Sequence, residues 1–255
     1  MKILFITDNF YPEKNAPAIR TYEHCLNWSK KGYEITILTS NPNFPKGKLY
    51  DGYKNNLFQV EKIGKLKIIR IWTFISSNQG FFLRVFDQLS FAISAIIASI
   101  FIKRNDVIIG TSPQFFTVIA TYIISFLKRT PWVFELRDLW PDSIVELGFL
   151  KKKSYSFKLL KKIEIFLYKK ADIIIPVTDS FRKYLINQNI DKKKIKVITN
   201  GINLDFIFPI KKNISLVNKY KLNNKLSLGY VGTHGKAHNL ETIINVAKKL
   251  KDNGY

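Results

Sequence analysis

The chain has 255 residues, 41 Lys+Arg against 19 Asp+Glu and one cysteine. An apolar share of 46% and an aromatic share of 14% supply a sizeable core and exclude a mainly disordered chain. Cys25 has no partner for an internal disulfide, and His24, His234 and His238 make no zinc-type spacing with it, so no metal site is expected.

The net charge of +22 is uneven: residues 1–150 carry 18 basic and 12 acidic side chains, residues 151–255 carry 23 and 7. Such a balance suits a polyanionic partner, nucleic acid or an anionic membrane. It also suits simple lysine enrichment, since Lys outnumbers Arg by 34 to 7. Scarce arginine argues against base readout, for which a bidentate guanidinium is the usual tool. Met1-Lys2 runs directly into ILFIT and Asp8, too short for the apolar region of a signal peptide, so a cytoplasmic protein is expected.

Lys2–Thr7 (KILFIT) reads as a buried parallel strand. Ala16–Lys31 reads as a helix with Ile19, Tyr22, Leu26 and Ser29 on one face, stopped by Gly32. Tyr33–Thr39 is the next strand, which closes a right-handed βαβ unit. Residues 41–56 form a loop with two prolines and two glycines, long enough to suggest function. Lys67–Trp72 is a strand. Phe81–Lys103 is mostly apolar, and Leu89–Ile102 carries no charge. That uncharged run falls short of the roughly 20 residues needed to span a bilayer. It is either a buried helix or an interfacial membrane helix.

Alternation continues with strand Asp106–Gly110, a helix over Gln114–Lys128 and strand Trp132–Leu136. A basic amphipathic helix, Ser154–Lys170, precedes strand Asp172–Val177, helix Asp179–Gln188 and strand Ile195–Thr199. This is an open, doubly wound α/β sheet with helices on both faces. Residues 201–225 break the rhythm around Pro209. Strand Leu226–Val231, a Gly-rich turn and helix Asn239–Lys251 then restart it. The expected domains are 1–205, a linker 206–225 and an incomplete second α/β unit 226–255, so the sequence reads as a fragment.

Three βα junctions could carry chemistry. Phe134–Leu150 packs Glu135, Arg137, Asp138 and Asp142 into eight residues at a strand end, as a site or a salt-bridged turn would. Asp8–Arg20 opens the first helix, whose backbone N–H groups can face an anion. Gly229–Gly235 has the spacing G-x-x-G-x-x-G, neither a dinucleotide fingerprint nor a P-loop, yet it could admit a phosphate.

Together these motifs resemble bacterial glycosyltransferase family 4 of the GT-B fold. The carrying stretches are FYPEKNAPAIR (Phe10–Arg20), TSNPNFPKGKLYDGYK (Thr39–Lys54), GTSPQFF (Gly110–Phe116), ELRDLWPDSIVELGFL (Glu135–Leu150), VTDSFRKYL (Val177–Leu185), VITNGINLDFIFP (Val197–Pro209) and GYVGTHGKAHNLETII (Gly229–Ile244). The subgroup they resemble adds N-acetylated amino sugars or fucose-type sugars in O-antigen, capsule and colanic-acid synthesis. Two departures stand out. Asn15-Ala16-Pro17 replaces the Gly-Gly of many members, and Arg137 stands where many carry histidine.

The resemblance implies an N-terminal Rossmann-like acceptor domain plus the first βα unit of a donor domain. It implies a metal-independent, cofactor-free, retaining, hexosyl-type transferase, with Arg137 and Asp138 catalytic. Asn15, Ala16, Arg20, Glu135 and Asp142 would bind substrate, and Gly232, Thr233, His234 and Gly235 the donor. The donor would be a nucleotide-diphospho-sugar, UDP-linked, and the acceptor a saccharide on polyprenyl diphosphate at the inner face of the cytoplasmic membrane. The family's paired glutamates would fall beyond Tyr255, which implies an inactive fragment. The competing readings are a nucleotide-sugar epimerase of the same architecture and a basic nucleic-acid-binding module. No nucleic-acid reader motif supports the latter.

Overall fold

The structure is a computed structural model that describes residues 1–76, 80–205, 207–223, 227–232, 234–235 and 238–254. The chain divides into two compact units, Met1–Thr199 and Asn200–Tyr255.

The first unit is built on seven strands: β1 (Lys2–Ile6), β2 (Glu34–Ser40), β3 (Phe58–Ile63), β4 (Leu66–Ile71), β5 (Val107–Thr111), β6 (Trp132–Leu136) and β7 (Ile173–Pro176). Their spatial order is β3-β4-β2-β1-β5-β6-β7. Every pairing is parallel except β3 with β4, a hairpin on one edge. Among the described residues this unit has the α-helices α1 (Ala16–Lys30), α2 (Phe81–Ser99), α3 (Phe115–Lys128), α4 (Asp142–Glu146), α5 (Tyr155–Lys170) and α6 (Asp179–Asn187) and a 3-10 turn at Lys192–Lys194.

Side-chain alternation along each strand builds two cores. Ile3 and Phe5 face one way, with Ile35, Ile37 and Ile68, and meet Tyr22, Cys25 and Trp28 of α1. Leu4 and Ile6 face the other way, with Ile69, Ile108 and Phe134, and meet α2, α3, α5 and α6. The chain is therefore a Rossmann-like α/β fold, as the alternation of elements implies.

Local chemistry sets the helix ends. Asn15 caps α1 by accepting from the Ala18 N–H at 2.9 Å, and Gly32 follows the helix at φ 89°. Ser154 and Thr178 cap α5 and α6 in the same way. Gly110 is required by packing: a Cβ there would sit 2.3 Å from Thr121 Oγ1 of α3.

Four differences from the sequence reading have physical causes. β3 (FQVEKI) was hidden because its exposed and half-buried residues alternate on an edge, without an apolar run. The expected strand Ile195–Thr199 makes only an isolated bridge, Ile174 with Ile195. α4 lies inside the acidic motif as a five-residue helix. The residues expected as a linker contain a helix, α7 (Ile214–Lys219), capped by Asn213.

The second unit also holds α8 (Glu241–Asp252), close to the expected helix. Residues 227–231 form no strand, and Leu226 lies outside the described residues. A strand requires a partner ladder, and none of the described residues supplies one.

Candidate functional site

The carboxyl ends of β1 and β5 meet where the crossovers diverge. From β1 the chain steps to β2 on one side, and from β4 it returns to β5 on the other. Open α/β sheets bind ligands at such a point.

Glu13 organises this edge. It is 2% exposed, and its carboxylate accepts four hydrogen bonds. Oε1 takes the backbone N–H of Asn43 at 2.8 Å and of Phe44 at 2.9 Å. Oε2 takes the side-chain amides of Asn9 at 2.9 Å and Asn15 at 3.2 Å. The loop after β1 is thereby fastened to the loop after β2. Gln114, at the start of α3, donates to Asn9 Oδ1 at 2.8 Å and extends the link to β5. The result is a rim rich in carboxamides. Asn15 lies in it as expected, at the helix cap, and Ala16 beside it is exposed.

A second cluster surrounds Glu135, the penultimate residue of β6, which is 4% exposed. Arg137 ion-pairs with its Oε1, while Arg20 Nη2 lies 3.6 Å from Oε2 and donates to Thr111 Oγ1 at 3.1 Å. His24 Nδ1 is 3.7 Å from Oε1. Burial would raise the Glu135 pKa, but the hydrogen bond and charge of Arg137, helped by Arg20, hold it below its ordinary value. Burial lowers the pKa of His24 against the pull of Glu135, so the imidazole favours its neutral form. The expected Arg20, Glu135 and Arg137 are thus brought together, bound mainly to one another. His24 is an addition.

Asp138 stands apart from that cluster. Ser112 Oγ accepts the backbone N–H of Arg137 at 2.7 Å and of Asp138 at 3.2 Å, which fixes the turn after β6 to the turn after β5. Ser143 Oγ donates to Asp138 Oδ2 at 3.1 Å. Burial raises the Asp138 pKa, and the bonds from Ser143 and the Leu139 backbone oppose it. This half-buried carboxyl is pulled toward the protonated form while held in one orientation.

Asp142 lies elsewhere. It pairs with Lys161, which also contacts Glu164 at 2.6 Å, and Tyr184 OH is 3.4 Å from Asp142 Oδ2. This group joins α4, α5 and α6, so the acidic motif contains both a strand-end carboxyl and a salt-bridged brace.

Two further features of the edge were not expected. Asp8 follows β1, nine-tenths buried, with its pKa raised well above normal by burial and by the charges of Asp87 and Glu13. Asp87 on α2 is pushed up to about 6 by burial and then by Glu13. Arg70 is fully buried, ion-paired with Glu61 at 2.7 Å, and donates to the carbonyls of Ser40 and Tyr11. It holds the loops after β1 and β2 against β4. Beside its near neighbours Asn9 and Asn15, Glu13 bonds the backbone of Asn43 about 30 residues away, and Arg70 reaches Tyr11 59 residues away, beyond the reach of any local motif.

The expected donor residues Gly232, His234 and Gly235 belong to the second unit, and Thr233 lies outside the described residues. The His234 ring is 5.9 Å from that of Tyr230.

A seven-stranded, mostly parallel sheet with helices on both faces and a polar, charge-organised rim at its switch point defines a Rossmann-like α/β protein. Residues 18–206 match Glycosyltransferase Family 4, and the chain belongs to that family.

The chain is 23% identical over 153 residues to the probable glycosyltransferase WbjE of Pseudomonas aeruginosa, covering 59% of this chain and 38% of that protein. It is 28% identical over 112 residues to the uncharacterized glycosyltransferase MJ1069 of Methanocaldococcus jannaschii, covering 42% of this chain and 28% of that one. The chain therefore spans well under half the length of the curated relatives it matches. Among solved structures it resembles sucrose-phosphate synthase from Thermosynechococcus elongatus, with TM-score 0.66 and 14% identity over 97% of this chain and 59% of that one. It also resembles the catalytic domain of starch synthase IV from Arabidopsis thaliana, with TM-score 0.54 and 12% identity over 80% and 52%. These likenesses place the fold among the GT-B glycosyltransferases.

Proposed function

We propose that this chain is the acceptor-side part of a retaining glycosyltransferase. The enzyme moves a hexose-type sugar from a UDP-linked donor to a saccharide carried on polyprenyl diphosphate, in cell-surface polysaccharide synthesis at the inner membrane face. The reading is supported chiefly by the switch-point rim, in which Asn9, Asn15 and Gln114 surround the carboxyl edge next to Asp138. Carboxamides both donate and accept hydrogen bonds, which suits the hydroxyls of a neutral sugar. The similarity to WbjE, a probable glycosyltransferase, favours sugar transfer over the other readings.

In this reading Asp138 accepts a hydrogen bond from the attacking hydroxyl, and Ser143 holds the carboxyl in place. Arg137 and Arg20 keep positive potential beneath the edge as charge develops on the departing diphosphate. Glu135 keeps both guanidiniums in position. Gly232–Gly235 face the donor, and no metal takes part.

The test is transfer of labelled sugar from UDP-sugars to a polyprenyl-diphosphate saccharide, assayed with this chain and with the longest protein its gene encodes. Product should form in EDTA. Asp138→Asn should lower turnover about 100-fold while shifting the melting temperature little. Interconversion of the donor sugar without an acceptor would assign an epimerase instead. An Asp138→Asn loss confined to melting temperature would make Asp138 a structural residue.

A further inference from the structure

α2 is apolar on both of its sides. Phe91, Ala92, Ala95, Ala98 and Ile102 pack into the core. The opposite side shows Phe86, Ile93, Ile97 and Ile100 to solvent, 61%, 58%, 55% and 74% exposed. At 100° per residue these four fall within about 60° of one another, so they form a stripe along the helix. The helix is long and apolar enough to cross a bilayer by length and composition, with 28% of the span Phe82–Ser99 buried. Its buried side belongs to the domain core, however, so the stripe can meet a lipid surface only lengthwise.

The stripe continues onto neighbouring chain. Lys128 Nζ donates to the Ile102 carbonyl at 2.6 Å, and Arg104 donates to the Arg129 carbonyl at 2.8 Å. These bonds tie the end of α2 to the end of α3. That junction exposes Phe101, Phe126 and Leu127, at 75%, 71% and 61%. Lys103, Arg104, Lys128 and Arg129 surround them. α3 has no acidic residue, and the single acid of α2, Asp87, is directed to Asp8 and Glu13.

We propose that the outer face of α2, with the α2–α3 junction, is a docking surface for an anionic lipid bilayer. Aromatic and branched side chains enter the headgroup boundary, and the four cations at the rim meet lipid phosphates. Charge selects this occupant: at its border Lys103, Arg104, Lys128 and Arg129 outnumber Asp172, which lines the hollow beside Phe126, Leu127 and Arg129, and an apolar stripe with a net positive border matches a surface that is apolar inside and anionic outside. The Lys151–Lys153 run precedes α5 and is not included in this surface. The inference rests on the membrane-face location proposed above and names the surface that would make it, and because it is tested without donor or acceptor its failure leaves sugar transfer itself untouched.

The experiment is co-sedimentation of the 255-residue chain with phosphatidylglycerol–phosphatidylcholine vesicles and with phosphatidylcholine alone. Binding to the anionic vesicles should exceed binding to the neutral ones at least tenfold and should fall in high salt. Ile93→Gln/Ile97→Gln should weaken it at least tenfold, as should Lys103→Gln/Arg104→Gln, with circular dichroism unchanged. In the unsubstituted chain, anionic vesicles should slow amide exchange over residues 99–104 and 126–129. Absent binding, equal binding to both vesicles, unaltered binding by both double variants or exchange protection elsewhere would overturn the proposal. So would a dimer in lipid-free solution that Ile93→Gln/Ile97→Gln disperses, since the stripe would then belong to a second copy.

Discussion

Glu135 and Asp87 are both buried carboxyls near the sheet edge, yet they respond to pH in opposite senses. Glu135 is held below its ordinary pKa by Arg137 and Arg20, so its contribution is complete at neutral pH and fades as acid protonates it. Glu135→Gln leaves two buried guanidiniums without a counter-charge. It should cost about 3 kcal/mol at neutral pH in urea denaturation, with a smaller difference from wild type in acid. Asp87 is raised to about 6, so the folded state favours its protonated form and loses stability as pH rises from about 4 to about 6. Asp87→Asn should remove that loss and raise the neutral-pH melting temperature by about 2–4 °C, allowing for its partial exposure. A melting temperature lowered at neutral pH would show that Asp87 is favoured in its ionised form. At this scale the sequence exposed Glu135, Arg137 and Asp138, because a strand end concentrated them. It concealed the roles of Glu13 and Arg70, whose distant partners Asn43, Phe44, Ser40 and Tyr11 are brought close only by the folded sheet.

Between elements, packing distances and partner ladders decide. Gly110 lets α3 lie against β5, where a methyl group would meet Thr121 at 2.3–2.7 Å. Gly110→Ala should destabilise the fold by about 2 kcal/mol, and Gly110→Ala/Thr121→Ala should recover part of that loss in the same denaturation measurement. No recovery would show that the strain lies elsewhere. The central parallel strands were legible because burial on both faces makes them continuous apolar runs, as in ILFI of β1 and VIIGT of β5. The edge strand β3 was not, since half-exposed positions tolerate Gln, Glu and Lys. Ile195–Thr199 shows the converse. It has a strand-like composition, but it meets β7 through one isolated bridge at Ile195 and the N–H groups of Lys196 and Ile198, without forming a regular strand.

For the whole molecule, every strand and both apolar cores among the described residues fall before Asn200. Ile195 is the last buried apolar residue among them. No buried residue is assigned to α7 or α8, and Ile243, Ile244 and Val246 of α8 are at least half exposed. The first unit therefore has the cores it needs for independent folding, at a size typical of one domain. We expect a chain limited to residues 1–205 to be expressed in soluble form. It should melt in one cooperative transition within about 3 °C of the transition assigned to this unit in the full chain. Limited proteolysis of the full chain should cut first beyond Thr199 and leave a resistant piece of the same length. The charge distribution sharpens the comparison, because the second unit adds 9 Lys against 3 acidic residues. Removing most of it lowers net charge while leaving α2 and the α2–α3 junction intact. If residues 1–205 aggregate or melt without cooperativity, contacts from the later residues complete the first unit, and the division at Thr199 does not mark a folding boundary.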